Sequence, residues 1–109
     1  MNSPKQAENF NSLLAECIQE TMVSLLSRQV ANAVYERLEK DYSISKDELP
    51  SHLDKLLLIL EETFGHSVDV IGRAIAKSFY AKLGFDLSRL PREDLVYCAE
   101  KAKRMLKSS

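Results

Sequence analysis

LDKLLLILEETFGHSVDVIGRAIAKSFYAKLG, residues 53–84, decides the fold of this 109-residue chain. Leu56-Leu57-Leu58-Ile59-Leu60 is apolar on every side of a helix, and a helix apolar all round is expected to be buried all round. Gly65 and Ser67 interrupt the run. The glycine suits a left-handed helix end, and the serine suits a cap for the next helix. Beyond them Val68, Ile71, Ile75, Phe79 and Leu83 recur at helical spacing until Gly84 ends the pattern. Two helices joined by a short turn are predicted, with the rest of the chain packed around them. Gly72 and Ala76, small and four apart, mark a place where another helix can come close.

Upstream, Ser3, Pro4 and Gln6 make a good helix start, with Ser3 as cap, Pro4 in the first turn and Gln6 completing a capping box. Phe10, Leu13, Leu14, Cys17, Ile18, Met22, Leu25 and Leu26 then form one apolar stripe, and Val30, Ala33, Val34 and Leu38 continue it. Two readings compete. The helix either breaks near Ser24–Ser27 and folds back, or runs on to about Asp41 as a rod roughly 57 Å long. A rod exceeds what a domain of radius near ~13 Å accommodates, and it would need a second copy of the chain to cover its stripe. The break is the favoured alternative.

Tyr42–Pro50 is a connector in which Ser45 to Glu48 can cap a single turn. Pro50 biases the residue before it away from the helical region, and Ser51 is the expected cap of the helix that follows. Downstream, Leu90-Pro91 is expected to open a last helix with Glu93 and Asp94 in its first turn. Lys101, Lys103, Arg104 and Lys107 lie near its end, a charge order that suits the helix dipole. Leu95, Cys98, Ala99, Ala102 and Leu106 make its inner face. There is also an internal echo. Tyr35-Glu36-Arg37-Leu38 and Tyr80-Ala81-Lys82-Leu83 each end a helix, and each is followed by a loop with Leu-Pro and then a new helix. Two degenerate helix–loop–helix units are one reading of this; chance is the other.

Composition agrees with an all-α chain. Three Gly and three Pro are few breakers, and long alternating Val/Ile/Thr runs are absent. Residues 1–69 carry 6 basic and 12 acidic side chains, while residues 70–109 carry 9 and 4. Either acidic and basic helices face each other, or the basic third meets an anionic partner such as nucleic acid. Cys17 and Cys98 are far apart in sequence and read as small buried hydrophobes of a reducing compartment. The start of the sequence lacks the pattern of a signal peptide, and no apolar run has the length of a membrane span. A cytoplasmic protein without membrane contact is expected.

Little here points to reaction chemistry. His52 and His66 do not pair with other ligand types at metal-binding spacing. Glu61 and Glu62 are adjacent and so diverge on a helix. The glycines at 65, 72 and 84 do not form a phosphate loop. No catalytic residue, cofactor or metal is expected. Residues 53–76 have the outline of a helix-turn-helix, but Ser67, Val68, Asp69, Gly72 and Arg73 are a poor set for reading DNA.

The run LEETFGHSVDVIGRAIAKSFYAKLGF, residues 60–85, resembles the repeated pattern of an archaeal family, the Nitrosopumilus output domain of the fifth type. The resemblance lies in Glu61-Glu62, Phe64-Gly65, Val68, Ile71 with Ile75, and Tyr80 to Gly84. The segment Tyr35–Lys40 and the Asp47–Pro50 loop also look similar. About half the chain, roughly Val34 to Phe85, is covered. The resemblance implies a small helical output or interaction module of archaeal signalling proteins, and it carries no functional site over to this chain.

The expectation is therefore an all-α single domain, residues 1–109, with about five helices around the hairpin at 53–84. Its function is non-enzymatic interaction in a regulatory or signalling system, with a protein partner that the sequence does not identify. Self-association as a homodimer is expected through the N-terminal helix, residues 4–26, with Phe10, Leu14, Ile18, Met22 and Leu25 as the interface. The alternative is a nucleic-acid-binding regulator that uses Lys101, Lys103, Arg104 and Lys107.

Overall fold

Ser27 turns the first apolar stripe back on itself. In the computed structural model, which describes residues 3–108 and the side chains of residues 9–107, helix α1 spans Ser3–Leu26 and α2 spans Arg28–Tyr42. The single residue between them sits at φ 102°, ψ 158° and caps α2, its Oγ accepting from the Val30 N–H at 3.3 Å. The break thus replaces the rod. The capping box expected at Ser3 and Gln6 lies outside the described side chains.

After a 3₁₀ turn at Lys46–Ser51, α3 covers Leu53–Phe64. A second 3₁₀ turn, Gly65–Ser67, leads directly into α4, Val68–Lys82. A third, Leu87–Arg89, precedes α5, Leu95–Ser108. The chain is all-α, and no strand occurs among the described residues. Three expected caps differ. Ser51 belongs to the 3₁₀ turn and His52 stands at the start of α3. Ser67 makes no capping hydrogen bond, because the 3₁₀ turn carries the chain into α4 without one. The last helix begins at Leu95, so Glu93 and Asp94 precede its first turn. Asp94 caps it instead, its Oδ1 accepting from the Tyr97 N–H at 3.0 Å.

The centre of the molecule is α4 more than the hairpin as a whole. α1, α3 and α5 all pack on it, and Ile75, Phe79 and Tyr80 are fully buried. The edge-to-face pair Phe10–Phe79, with centroids 5.0 Å apart, joins α1 to α4 in a favourable ring geometry. Gly72 is buried where α3 and α5 come close: a Cβ there would meet Leu57 Cδ2 at 3.6 Å and Leu95 Cβ at 3.8 Å. The expectation of all-round burial for Leu56–Leu60 does not hold. Leu56, Ile59 and Leu60 are in the core, Leu57 is half-buried and Leu58 is 38% exposed. This helix has neighbours on only part of its circumference, so one leucine faces water. Likewise Leu106 is exposed, while Leu95, Cys98, Ala99 and Ala102 form the inner face of α5.

The internal echo has a structural counterpart. Just past α2 stands Ser43 (φ 57°) and just past α4 stands Gly84 (φ 80°), both in the left-handed region. The next N–H closes the helix end in each case, Ile44 to the Leu38 carbonyl at 3.3 Å and Phe85 to the Tyr80 carbonyl at 3.0 Å. A capped 3₁₀ turn follows each time. Glu48 accepts from the Ser45 N–H (2.9 Å) and hydroxyl (3.1 Å), and Asp86 Oδ1 accepts from the Ser88 N–H at 3.0 Å. These bonds hold both carboxyls below the usual carboxylate range. Leu49-Pro50 and Leu90-Pro91 then lead into α3 and α5. The same helix–3₁₀–helix device is used twice.

Candidate functional site

The first apolar stripe is not an exposed face. Leu14, Ile18 and Met22 are completely buried, and Phe10 is 7% exposed, all within one chain. Only Leu25 of the five expected interface residues is open to water, at 48%. The break at Ser27 explains this: by folding α2 back along α1, and by setting α4 against it, the chain covers its own stripe.

The charge asymmetry is also partly consumed internally. Lys82 of α4 lies 2.8 Å from Glu20 and 3.6 Å from Glu16 of α1, and Arg37 of α2 bonds to Glu62 of α3 and to Asp41. Of the four basic residues of α5, Lys101 and Lys103 are two apart and leave the helix on different flanks. Lys101 is half-buried, Lys103 lies 5.9 Å from the Phe10 ring and Arg104 lies 6.0 Å from the Tyr97 ring. Lys101 and Lys103 therefore do not share one face of α5. His52 and His66 are both exposed, one at the start of α3 and the other in the hairpin turn. Among the described residues no three His, Cys, Asp or Glu side chains group to hold a metal ion. Cys17 and Cys98 are buried free thiols, both pushed up from the ordinary thiol range by that burial.

An open trough of about 810 Å³ lies between α3, α4 and the start of α5. Its deep side is formed by Leu57, Gly72, Ala76 and Leu95, small or apolar residues where the three helices meet. Val68 and Val70 border it on α4, and Val70, at 65% exposure, is the most exposed large apolar side chain among the described residues. Glu61 and Asp69 stand near the hairpin end, while Lys77 and Arg92 stand further along. Arg73 is spoken for: its Nη1 donates to the Pro91 carbonyl, pinning the segment that leads into α5. The Tyr80 hydroxyl donates to the Cys98 carbonyl at 2.9 Å and fixes α5 itself. Two hydrogen bonds from α4 thus hold the far wall of the trough.

The helix-turn-helix outline fails for the same reason. Gly72 is buried and Arg73 is bonded inward, so the start of α4 does not offer a reading face. Of the trough residues, the sequence drew attention to Gly72 and Ala76 as a place of close helix approach and to Val68, Asp69, Gly72 and Arg73 as a poor DNA-reading set, but it made none of them a candidate site. The available signal was Val70, an apolar residue one step off the Val68–Ile71–Ile75 stripe. No family model, curated protein or solved structure matches the chain. What the fold defines is its class, an all-α protein with five α-helices among the described residues.

Proposed function

We propose that this chain is a non-enzymatic helical interaction module of a regulatory or signalling system, and that it works by docking a partner helix in the α3–α4–α5 trough. The observation that carries the proposal is the trough itself: an apolar bed, rimmed by charges of both signs, with Val70 on its edge. Grooves of this kind take amphipathic helices through their apolar faces, and rim charges set orientation and partner choice.

The test is photo-crosslinking in extract of the source cell, from a photoreactive residue placed at position 70 and, as control, at position 40, which is exposed on α2. Adducts from position 70 that do not form from position 40 are expected. An absence of adducts from position 70 overturns the proposal.

A further inference from the structure

α5 is held to the molecule differently from the other helices. It packs mainly on α4 and α3, whereas α4 is flanked by α1, α3 and α5. Its buried face carries one large aliphatic side chain, Leu95, followed by Cys98, Ala99 and Ala102. By contrast, α1 buries Phe10, Leu14, Ile18 and Met22, and α3 buries Leu53, Leu56, Ile59 and Leu60. Small side chains remove little apolar surface from water, and that removal is what drives packing. Hydrogen bonds to backbone carbonyls supply the rest of the hold. The Tyr80 hydroxyl reaches the Cys98 carbonyl and Arg73 reaches that of Pro91. The Cys98 thiol donates to the carbonyls of Pro91 and Glu93 at 3.7 and 3.6 Å. Water replaces such bonds when a helix lifts away, so each adds modest net strength.

We infer that α5 opens as a unit, turning about the segment 90–94 while α1 to α4 stay folded, and that the trough exists only in the closed state. A helix of 14 residues is marginal by itself in water, so the released α5 unwinds and bares Cys98. Leu95 forms part of the trough bed, Arg92, Glu93 and Asp94 line its wall, and all four move with α5. A partner lying across the trough gains its full contacts only when α5 is shut, and so holds it shut. This consequence rests on the trough being the docking surface; the opening itself does not.

The two buried free thiols report the opening. Cys98 is on α5, while Cys17 lies on α1, hydrogen-bonded to Ser78 of α4, and meets solvent only when the body unfolds. The full chain is treated with iodoacetamide at a series of urea concentrations below the unfolding transition, and each cysteine is followed by peptide mass mapping. Where reclosing outruns alkylation, the rate follows the population of the open form. Without urea, Cys98 is expected to react at least about tenfold faster than Cys17, and to respond less to urea because a local opening exposes less surface. Ile18→Val, in the α1 core, is expected to speed Cys17 by about fivefold and Cys98 by less than about twofold, since the opened molecule keeps the α1 packing. Equal rates for the two cysteines, or an equal gain in both on Ile18→Val, overturns the inference, because α5 then leaves only with the whole fold. In the isolated position-70 adduct, Cys98 is expected to react more slowly than in the free chain. An unchanged rate there overturns the coupling to docking and keeps the opening. Failure to form the adduct removes the docking reading alone.

Discussion

The Tyr80 hydroxyl reaches from α4 to the backbone carbonyl of Cys98 on α5 at 2.9 Å, inside the core. The same ring meets Phe85 edge-on, with centroids 5.5 Å apart, so one side chain holds both the end of α4 and the first turn of α5. Removing only the hydroxyl, Tyr80→Phe, leaves the ring pair in place and costs about 1 kcal/mol of stability, the worth of one intramolecular hydrogen bond. Truncation to Ala also loses the ring and costs about 3–5 kcal/mol. Denaturant unfolding followed by circular dichroism measures both, and an unchanged stability in Tyr80→Phe would show that the hydrogen bond is not formed.

Burial of the α1 stripe sets a second outcome. Leu14→Ala opens a cavity in the core and lowers stability by about 2–5 kcal/mol, while Leu25→Ala, at an exposed position, stays within about 0.5 kcal/mol of wild type. Leu14→Glu with Ile18→Glu unfolds the chain. Were that double variant folded, the stripe would not be part of the core.

Ser27 combines a cap with a backbone that a Cβ disfavours, φ 102°. Such a conformation costs of order 1–3 kcal/mol in a non-glycine residue, whereas exchanging a serine cap for glycine loses only about a few tenths. Ser27→Gly is therefore expected to raise the melting temperature and Ser27→Ala to lower it. A melting temperature of Ser27→Gly below that of the wild type would mean that the cap outweighs the strain.

The three glycines differ in the same physical terms. Gly72 has an ordinary helical backbone, and a Cβ would meet its neighbours at van der Waals distance. Gly72→Ala is expected to stabilise by about 0.5–1 kcal/mol through helix propensity. Gly65 (φ 64°) has open space around it but the wrong backbone for a side chain, so Gly65→Ala is expected to destabilise by about 1 kcal/mol. Thermal melts of the two variants should move in opposite directions.

Burial pushes the Tyr35 phenol up to about 12. An unfolded chain ionises the same group near ~10. Between these values the unfolded state releases the proton and the native state keeps it, so stability falls as pH rises from about 10 towards 12. Urea midpoints measured across that window should drop in the wild type and drop less in Tyr35→Phe. Parallel curves would place the alkaline loss elsewhere.

Much of the architecture was readable from residue order alone. Gly65 and Gly84 mark helix ends because only glycine enters positive φ without cost, and the helical stripes follow from the spacing of apolar residues, both properties of the local chain. The two Leu-Pro loops and their tyrosine-bearing helix ends are visible as an internal echo, which by itself leaves a repeated unit and chance as competing readings. Helix starts were harder, because Ser51 and Ser67 compete with 3₁₀ turns whose hydrogen bonds satisfy the same backbone groups.

Which apolar residues stay wet was not readable. Leu58 and Leu56 belong to one unbroken apolar run, yet one faces water and the other is buried, because neighbours cover only one side of α3. Val70 and Ile71 adjoin on α4 and differ in the same way. Local order determines where helices run and which face is greasy. Only the packing of α1, α3 and α5 around α4 decides how much of that surface remains for a partner, since burial depends on which elements meet in space and not on sequence neighbours.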